Sequence, residues 1–220
     1  MQLARRVAAE ALGTFALVFF GAGAIMVAAR YAAFGQVGIA LAFGLVIAAM
    51  IYALGHISGA HLNPAVSLAF ALGRQFRRRL VGAYWFGQCT GAIAAALVLR
   101  ASLGDVAGVG ATEPSGSVGQ SFLWEVVLTF FLMLVIMAVA TDTRAVGEAA
   151  AIAVGGTVAL GALVGGPISG ASMNPARSLG PALAAGEFDD LWLYLVAPPI
   201  GAALGALAYQ LLRGEQAKTE

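Results

Sequence analysis

The sequence predicts an all-α membrane protein with six transmembrane helices, two re-entrant half-helices and an inverted internal repeat. Three observations predict it. First, 60% of the 220 residues are hydrophobic and only 10% are charged, against about 25% charged in soluble domains. Second, apolar runs recur at 7–29, 38–54, 80–99, 121–140, 149–164 and 191–212, most of them near the ~20 residues that span hydrocarbon. Third, Ser-Gly-Ala-His-Leu-Asn-Pro-Ala-Val-Ser-Leu-Ala at 58–69 returns as Ser-Gly-Ala-Ser-Met-Asn-Pro-Ala-Arg-Ser-Leu-Gly at 169–180, identical at eight of twelve positions. Irregular backbone at membrane depth is tolerated only where protein buries it or it lines a cavity. The two turns, one in each half, therefore mark the site of function.

The first run follows Arg5 and Arg6 and carries Glu10. It is too long for a signal-peptide core, and it has a counterpart in the fourth run. Glu10, Thr14 and Phe15 match Glu125, Thr129 and Phe130. The second run, Gly38–Ile47, resembles 151–160 in the fifth. The third follows Arg77, Arg78 and Arg79, and its Gly91-Ala-Ile-Ala returns in the sixth as Gly201-Ala-Ala-Leu. Glycines four apart, as at Gly87 and Gly91, Gly161 and Gly165, or Gly201 and Gly205, permit close helix contact. Cys89 is the single cysteine, which excludes an internal disulfide and a cysteine metal site.

Three spans per copy insert the second copy upside down, so residues 1–220 read as one domain of inverted repeats, 3–100 and 120–213. The polar, Gly-rich stretch 101–119 is the external linker, and 214–220 reads as a disordered tail. With both termini cytoplasmic, Arg5, Arg6, Arg74, Arg77, Arg78, Arg79, Arg144, Arg213 and Lys218 lie inside, and only Arg30, Arg100 and Arg177 lie outside. That asymmetry fixes the orientation. A formal charge of +1 gives no reason to expect a nucleic-acid partner.

Asn63 and Asn174 suit a helix N-cap, and Pro64 and Pro175 suit the first helical position. The helices that follow, 65–72 and 176–184, are too short to span a bilayer. One enters from each side, so their N-termini meet near the midplane, each with roughly half a positive charge. Opposed positive ends repel cations, while the Asn amides donate hydrogen bonds to neutral oxygens. Glu10 and Glu125, costly in a membrane, either couple protons or accept hydrogen bonds from the re-entrant loops. Their symmetric placement favours bracing. His56 and His61 have no partner carboxylates or cysteines nearby in the sequence, so no metal or cofactor is expected.

The paired Asn-Pro-Ala motifs, Asn63-Pro64-Ala65 and Asn174-Pro175-Ala176, in an inverted repeat resemble the aquaporin, or major intrinsic protein, family over residues 3–213. The resemblance implies that the carbonyls of Gly59, Ala60, His61, Gly170, Ala171 and Ser172 line a pore, and that Glu10 and Glu125 brace the loops. It also implies a selectivity filter of Phe43, Ala162, Ala171 and Arg177. Topology places these four near the outer side independently, and the position matching Arg177 in the first half is Val66. Water-only members carry His and Thr or Cys where this chain has Ala162 and Ala171, so the filter should be wider and less polar. Glycerol-conducting members typically have Asp where Ser178 stands. The stretches 55–61 and 166–181 look most like the nodulin-type intrinsic proteins, although Phe43 replaces their common Trp.

The expected function is passive conduction of water and small uncharged solutes, glycerol first and then urea or neutral metalloid acids, with protons and ions excluded. A strictly water-selective channel is the alternative, and a proton-coupled transporter is the rival from another class. No nucleophile, base and metal set suggests an enzyme. The resemblance implies a homotetramer in the lipid bilayer, and short termini and loops suggest a bacterial inner membrane.

Overall fold

The computed structural model describes residues 2–141 and 149–213. Arg144, Lys218 and the expected tail 214–220 fall outside the described residues. Among the described residues six helices are long and apolar enough to cross a membrane: α1 (Gln2–Tyr31), α2 (Gln36–Ser58), α4 (Val81–Leu103, preceded by the 3-10 turn Arg78–Leu80), α6 (Val118–Thr141), α7 (Ala150–Ser169) and α9 (Leu191–Leu212). Two short helices, α3 (Pro64–Leu72) and α8 (Pro175–Ala185), start at the Asn-Pro motifs, and α5 (Ala107–Gly110) is one turn within the linker. The helices before the motifs, α2 and α7, run on to Ser58 and Ser169, well past the ends of their apolar runs.

The helices pack in pairs that the repeat relates. α1 lies along α4 as α6 lies along α9, and α2 packs on its own counterpart α7. The half-helices cross over, α3 against α9 and α8 against α4, so each half of the chain completes the other. Glycine makes the closest approaches possible. A Cβ at Gly87 would sit 2.7 Å from the Val7 carbonyl on α1, and Gly201 is crowded still more closely by the Val126 carbonyl on α6. Gly161 and Gly165 differ from that pattern, because their space is filled by side chains, Met173 and Leu128, rather than by a helix backbone. Leu12, Phe20, Leu45, Phe86, Phe131, Leu160 and Leu211 are all exposed on the single chain. An apolar exterior of this kind suits hydrocarbon surroundings.

Candidate functional site

The two motif loops repeat each other down to their backbone angles. α2 ends at Gly59 (φ 93) and α7 at Gly170 (φ 77), both in the left-handed region. Ala60 (φ 46) and Leu62 (φ 51) are matched by Ala171 (φ 42) and Met173 (φ 51). Left-handed backbone at residues with a Cβ costs of order 1–2 kcal/mol each, and such strain persists only where the surroundings impose it. Asn63 and Asn174 then turn extended, each with φ −156, and cap α3 and α8. The Asn63 Oδ1 accepts from the Ala65 N–H at 2.9 Å, and the Asn174 Oδ1 from the Ala176 N–H at 3.0 Å.

Each Asn also ties the loops together. Asn63 Nδ2 donates to the Met173 carbonyl at 2.7 Å, and Asn174 Nδ2 to the Leu62 carbonyl at 2.8 Å. An amide nitrogen carries two N–H groups, so each Asn retains one beyond this crosslink.

Two buried carboxylates hold the loops from behind. Glu10 accepts hydrogen bonds from Ser58 Oγ (2.7 Å), His61 N (3.0 Å), Leu62 N (2.7 Å) and Gln88 Nε2 (2.8 Å). Glu125 accepts from Ser169 Oγ, Ser172 N and Met173 N, each at 2.8 Å. Tyr84 and Tyr194 complete the scheme, donating to the Ser58 and Ser169 carbonyls at 2.7 Å. Both tyrosines escaped the sequence reading, although each lies seven residues before a matched glycine, Gly91 or Gly201.

A cavity of about 100 Å³ lies between the halves, lined by Val66 and Phe70, by His61, Asn63 and Asn174, and by Phe43, Ala162, Ala171 and Arg177. That is well above the ~10–15 Å³ a cavity needs to admit a water. Much of the remaining wall is aliphatic, with Ile47, Leu132, Ile136, Val154 and Val158. Gly59, Ala60, His61 and Ser172 of the expected carbonyl set reach the wall. Gly170 is not among the lining residues, although its left-handed cap matches that of Gly59; Thr112 packs against it, 3.2 Å from where a Cβ would lie. The His61 ring packs among Phe70, Phe76 and Tyr84, with Nδ1 3.0 Å from Ser67 Oγ. Among the described residues no group of His, Cys, Asp or Glu could hold a metal ion.

Phe43, Ala162, Ala171 and Arg177, from four separate segments, all line this cavity. Phe43 and Arg177 touch each other. The guanidinium carbon lies 5.0 Å from the centroid of the Phe43 ring, within cation–π range. Gly21 on α1 provides the slot for that ring, since a Cβ there would overlap it. Gln36 Nε2 donates to the Ala162 carbonyl at 2.6 Å, holding α7 beside the cavity. Arg177 is 1% exposed, and its Nη1 donates to the Gly110 carbonyl at 2.8 Å. Its Nε and Nη2 have no protein acceptor among the described residues.

The linker is thus more than a connection. Residues 107–110 all have positive φ, from 48 to 70, and this left-handed turn presents the Gly110 carbonyl to Arg177. Gly110 is pressed on α1, where a Cβ would meet Ala22 at 2.8 Å, and Val109 is fully buried between α1 and α4. Nothing in the local pattern of 101–119 signals that docking.

At the same end, outside the spans, Glu187 follows α8. A side-chain hydrogen bond with Glu113, then partial burial and the charges of Glu113 and Asp105, raise its pKa above the usual glutamate value. The folded protein therefore holds this proton more tightly than the unfolded chain does. Its stabilising effect is full below about pH 4.3 and is lost as pH rises through the raised value. Glu187→Gln can donate to Glu113 at any pH, so its thermal midpoint should fall less than wild type's as pH rises from about 4 to 7. Identical slopes in a thermal-shift series would contradict that account.

The whole chain has the same pattern in known proteins. A family model described as major intrinsic protein matches residues 1–209. Aquaporin NIP1-4 of Oryza sativa subsp. japonica is 53% identical over 206 residues, covering 93% of this chain and 76% of the relative. Nodulin-26 of Glycine max is 46% identical over 213 residues, covering 95% and 78%. The solved aquaglyceroporin from Plasmodium falciparum superposes with a TM-score of 0.85 at 27% identity, covering 96% of this chain and 97% of that one. The capped half-helices, the crossed Asn pair and this likeness over nearly the full length agree: the chain belongs to the major intrinsic protein family.

Proposed function

We propose that the protein is a passive channel for water and small uncharged solutes, glycerol foremost, and that it excludes protons and ions. The observation that carries this is the water-sized cavity that passes two opposed half-helix N-termini and a buried arginine with free N–H groups. Each N-terminus contributes roughly half a positive charge, and the Arg177 cation adds to it, so a cation meets a barrier along the path. A neutral hydroxyl meets donors instead: the second N–H of Asn63 and of Asn174, and Nε and Nη2 of Arg177. The carbonyls of Gly59, Ala60, His61 and Ser172 are suited to accept in return.

The solute range follows from Ala162 and Ala171, whose methyls leave space beside Arg177 and Phe43. Likeness to an aquaglyceroporin and to plant NIP aquaporins supports solutes beyond water. Urea and neutral metalloid acids are the further candidates, and strict water selectivity is the alternative. Glu10 and Glu125 have both oxygens engaged by loop donors, which speaks against either as the carboxylate of a proton-coupled transporter.

The chain is an integral multi-pass membrane protein. We place both termini in the cytoplasm, treat 3–100 and 120–213 as the repeats of one domain, and expect a homotetramer. The relatives named above from Oryza sativa and Glycine max are plant proteins, so they lend no support to a bacterial inner membrane.

Stopped-flow light scattering of proteoliposomes under water, glycerol, urea and boric acid gradients tests the reading. Water and glycerol should move well above the protein-free rate; water alone would establish the alternative, and no acceleration of any would refute both. Arg177→Val, which copies Val66 of the first half, should admit a proton leak while neutral flux continues. Proton conductance at the empty-vesicle level would move exclusion to the half-helix ends alone.

A further inference from the structure

We propose that Thr112, in the linker between the halves, is a positioning residue for the filter: its hydroxyl holds the first turn of α8 and so fixes Arg177 against the cavity wall. This rests on Arg177 serving as a filter residue.

The two half-helices carry matched serines, Ser67 on α3 and Ser178 on α8. Ser67 is served from within its own half, where Gln88 Nε2 donates to Ser67 Oγ at 2.9 Å and to Glu10 at 2.8 Å. The residue of α9 that matches Gln88 is Pro198, four residues after Tyr194 as Gln88 is four after Tyr84. Proline has no side-chain donor. Ser178 thus lacks that partner, and Glu125 accepts three donors where Glu10 accepts four.

Thr112 takes the vacant role from outside the repeat. Its Oγ1 lies 2.7 Å from Ser178 Oγ, which lies 2.6 Å from Ser172 Oγ, and that hydroxyl donates to the Asn174 carbonyl at 2.9 Å. Three buried hydroxyls therefore join the linker to the residue next to Arg177 and to the motif loop. Two residues earlier the same strand of linker offers the Gly110 carbonyl to Arg177 Nη1. The guanidinium and the helix that carries it are consequently held by one short segment.

That segment needs holding. Ala107 and Val109 sit at φ 48 and 53, an outlying conformation for a β-branched residue. The Thr112 hydroxyl pins its exit, as buried Val109 pins its middle. Without the hydroxyl the turn relaxes, Gly110 withdraws, and the guanidinium swings into the lumen, obstructing a polyol more than a water.

The test is Thr112→Val, similar in shape but without the hydroxyl, with Thr112→Ser as the rescue. Both are compared with wild type in proteoliposomes at equal protein content. In Thr112→Val, glycerol permeability should fall at least fivefold and water permeability about twofold, and Thr112→Ser should restore both. Ser178→Ala cuts the same link from the other side. It should give the same loss, and the double variant should be no worse than either single one. A general packing defect would instead make the losses additive and leave Thr112→Ser impaired. Wild-type permeabilities in Thr112→Val, or additive losses, overturn the inference. If Thr112→Val does not fold, Ser178→Ala decides through its own permeabilities. Failure of wild-type glycerol flux would sink the solute reading separately, and the inference would then stand or fall on the water loss.

Discussion

Glu125→Gln should lose most of its folded protein. Glu125 Oε1 accepts from Ser169 Oγ and Ser172 N while Oε2 accepts from Met173 N, each at 2.8 Å. Glutamine keeps one acceptor oxygen. Placed to satisfy Ser169 and Ser172, its amide N–H groups point at the Met173 N–H, leaving donors facing donors in a buried site. Each buried unsatisfied group costs about 1–3 kcal/mol, so the pair costs roughly 2–6 kcal/mol, against total stabilities of about 5–15 kcal/mol. The measurement is the yield of monodisperse protein in detergent, and its thermal midpoint, at matched membrane expression. A Glu125→Gln protein that folds like wild type and loses only pH-dependent uptake would establish proton coupling instead of bracing.

Ala162→His should remove most glycerol flux while water flux stays within about threefold. Ala162 lies on the cavity wall with Phe43, Ala171 and Arg177. An imidazole there fills the space beside the guanidinium and offers water-sized hydrogen-bond partners. A polyol hydroxyl stripped of water without a protein partner loses about 1–3 kcal/mol, and 1.4 kcal/mol is already tenfold. The expected loss of glycerol permeability is therefore at least tenfold. Ala171 is the less suitable site, because its φ of 42 disfavours a β-branched replacement. Unchanged glycerol permeability in a folded Ala162→His channel would place the size limit elsewhere in the pore.

The sequence by itself determined what contiguous residues can encode. Span length and apolarity mark the six long helices, and an N-capping Asn followed by Pro starts each half-helix. The repeat paired Glu10 with Glu125, and it singled out Arg177 because Val66 stands in its place in the first half. The repeat likewise sets Tyr84 opposite Tyr194, and Gln88 opposite Pro198, in the third and sixth spans.

Tertiary structure alone decided what those residues touch. The crossed bonds of Asn63 and Asn174 join residues more than 100 positions apart, so no local period announces them. Phe43 stacks on Arg177 only because Gly21 on another helix leaves room for its ring. Gly170, expected on the pore wall, instead lies beneath Thr112. The linker carried no hydrophobic period or motif, yet its left-handed turn lodges Val109 in a core and aims Gly110 at the filter. A backbone carbonyl can be supplied by any residue type. Its role is set by where the chain is docked, and that is decided by the elements packed around it.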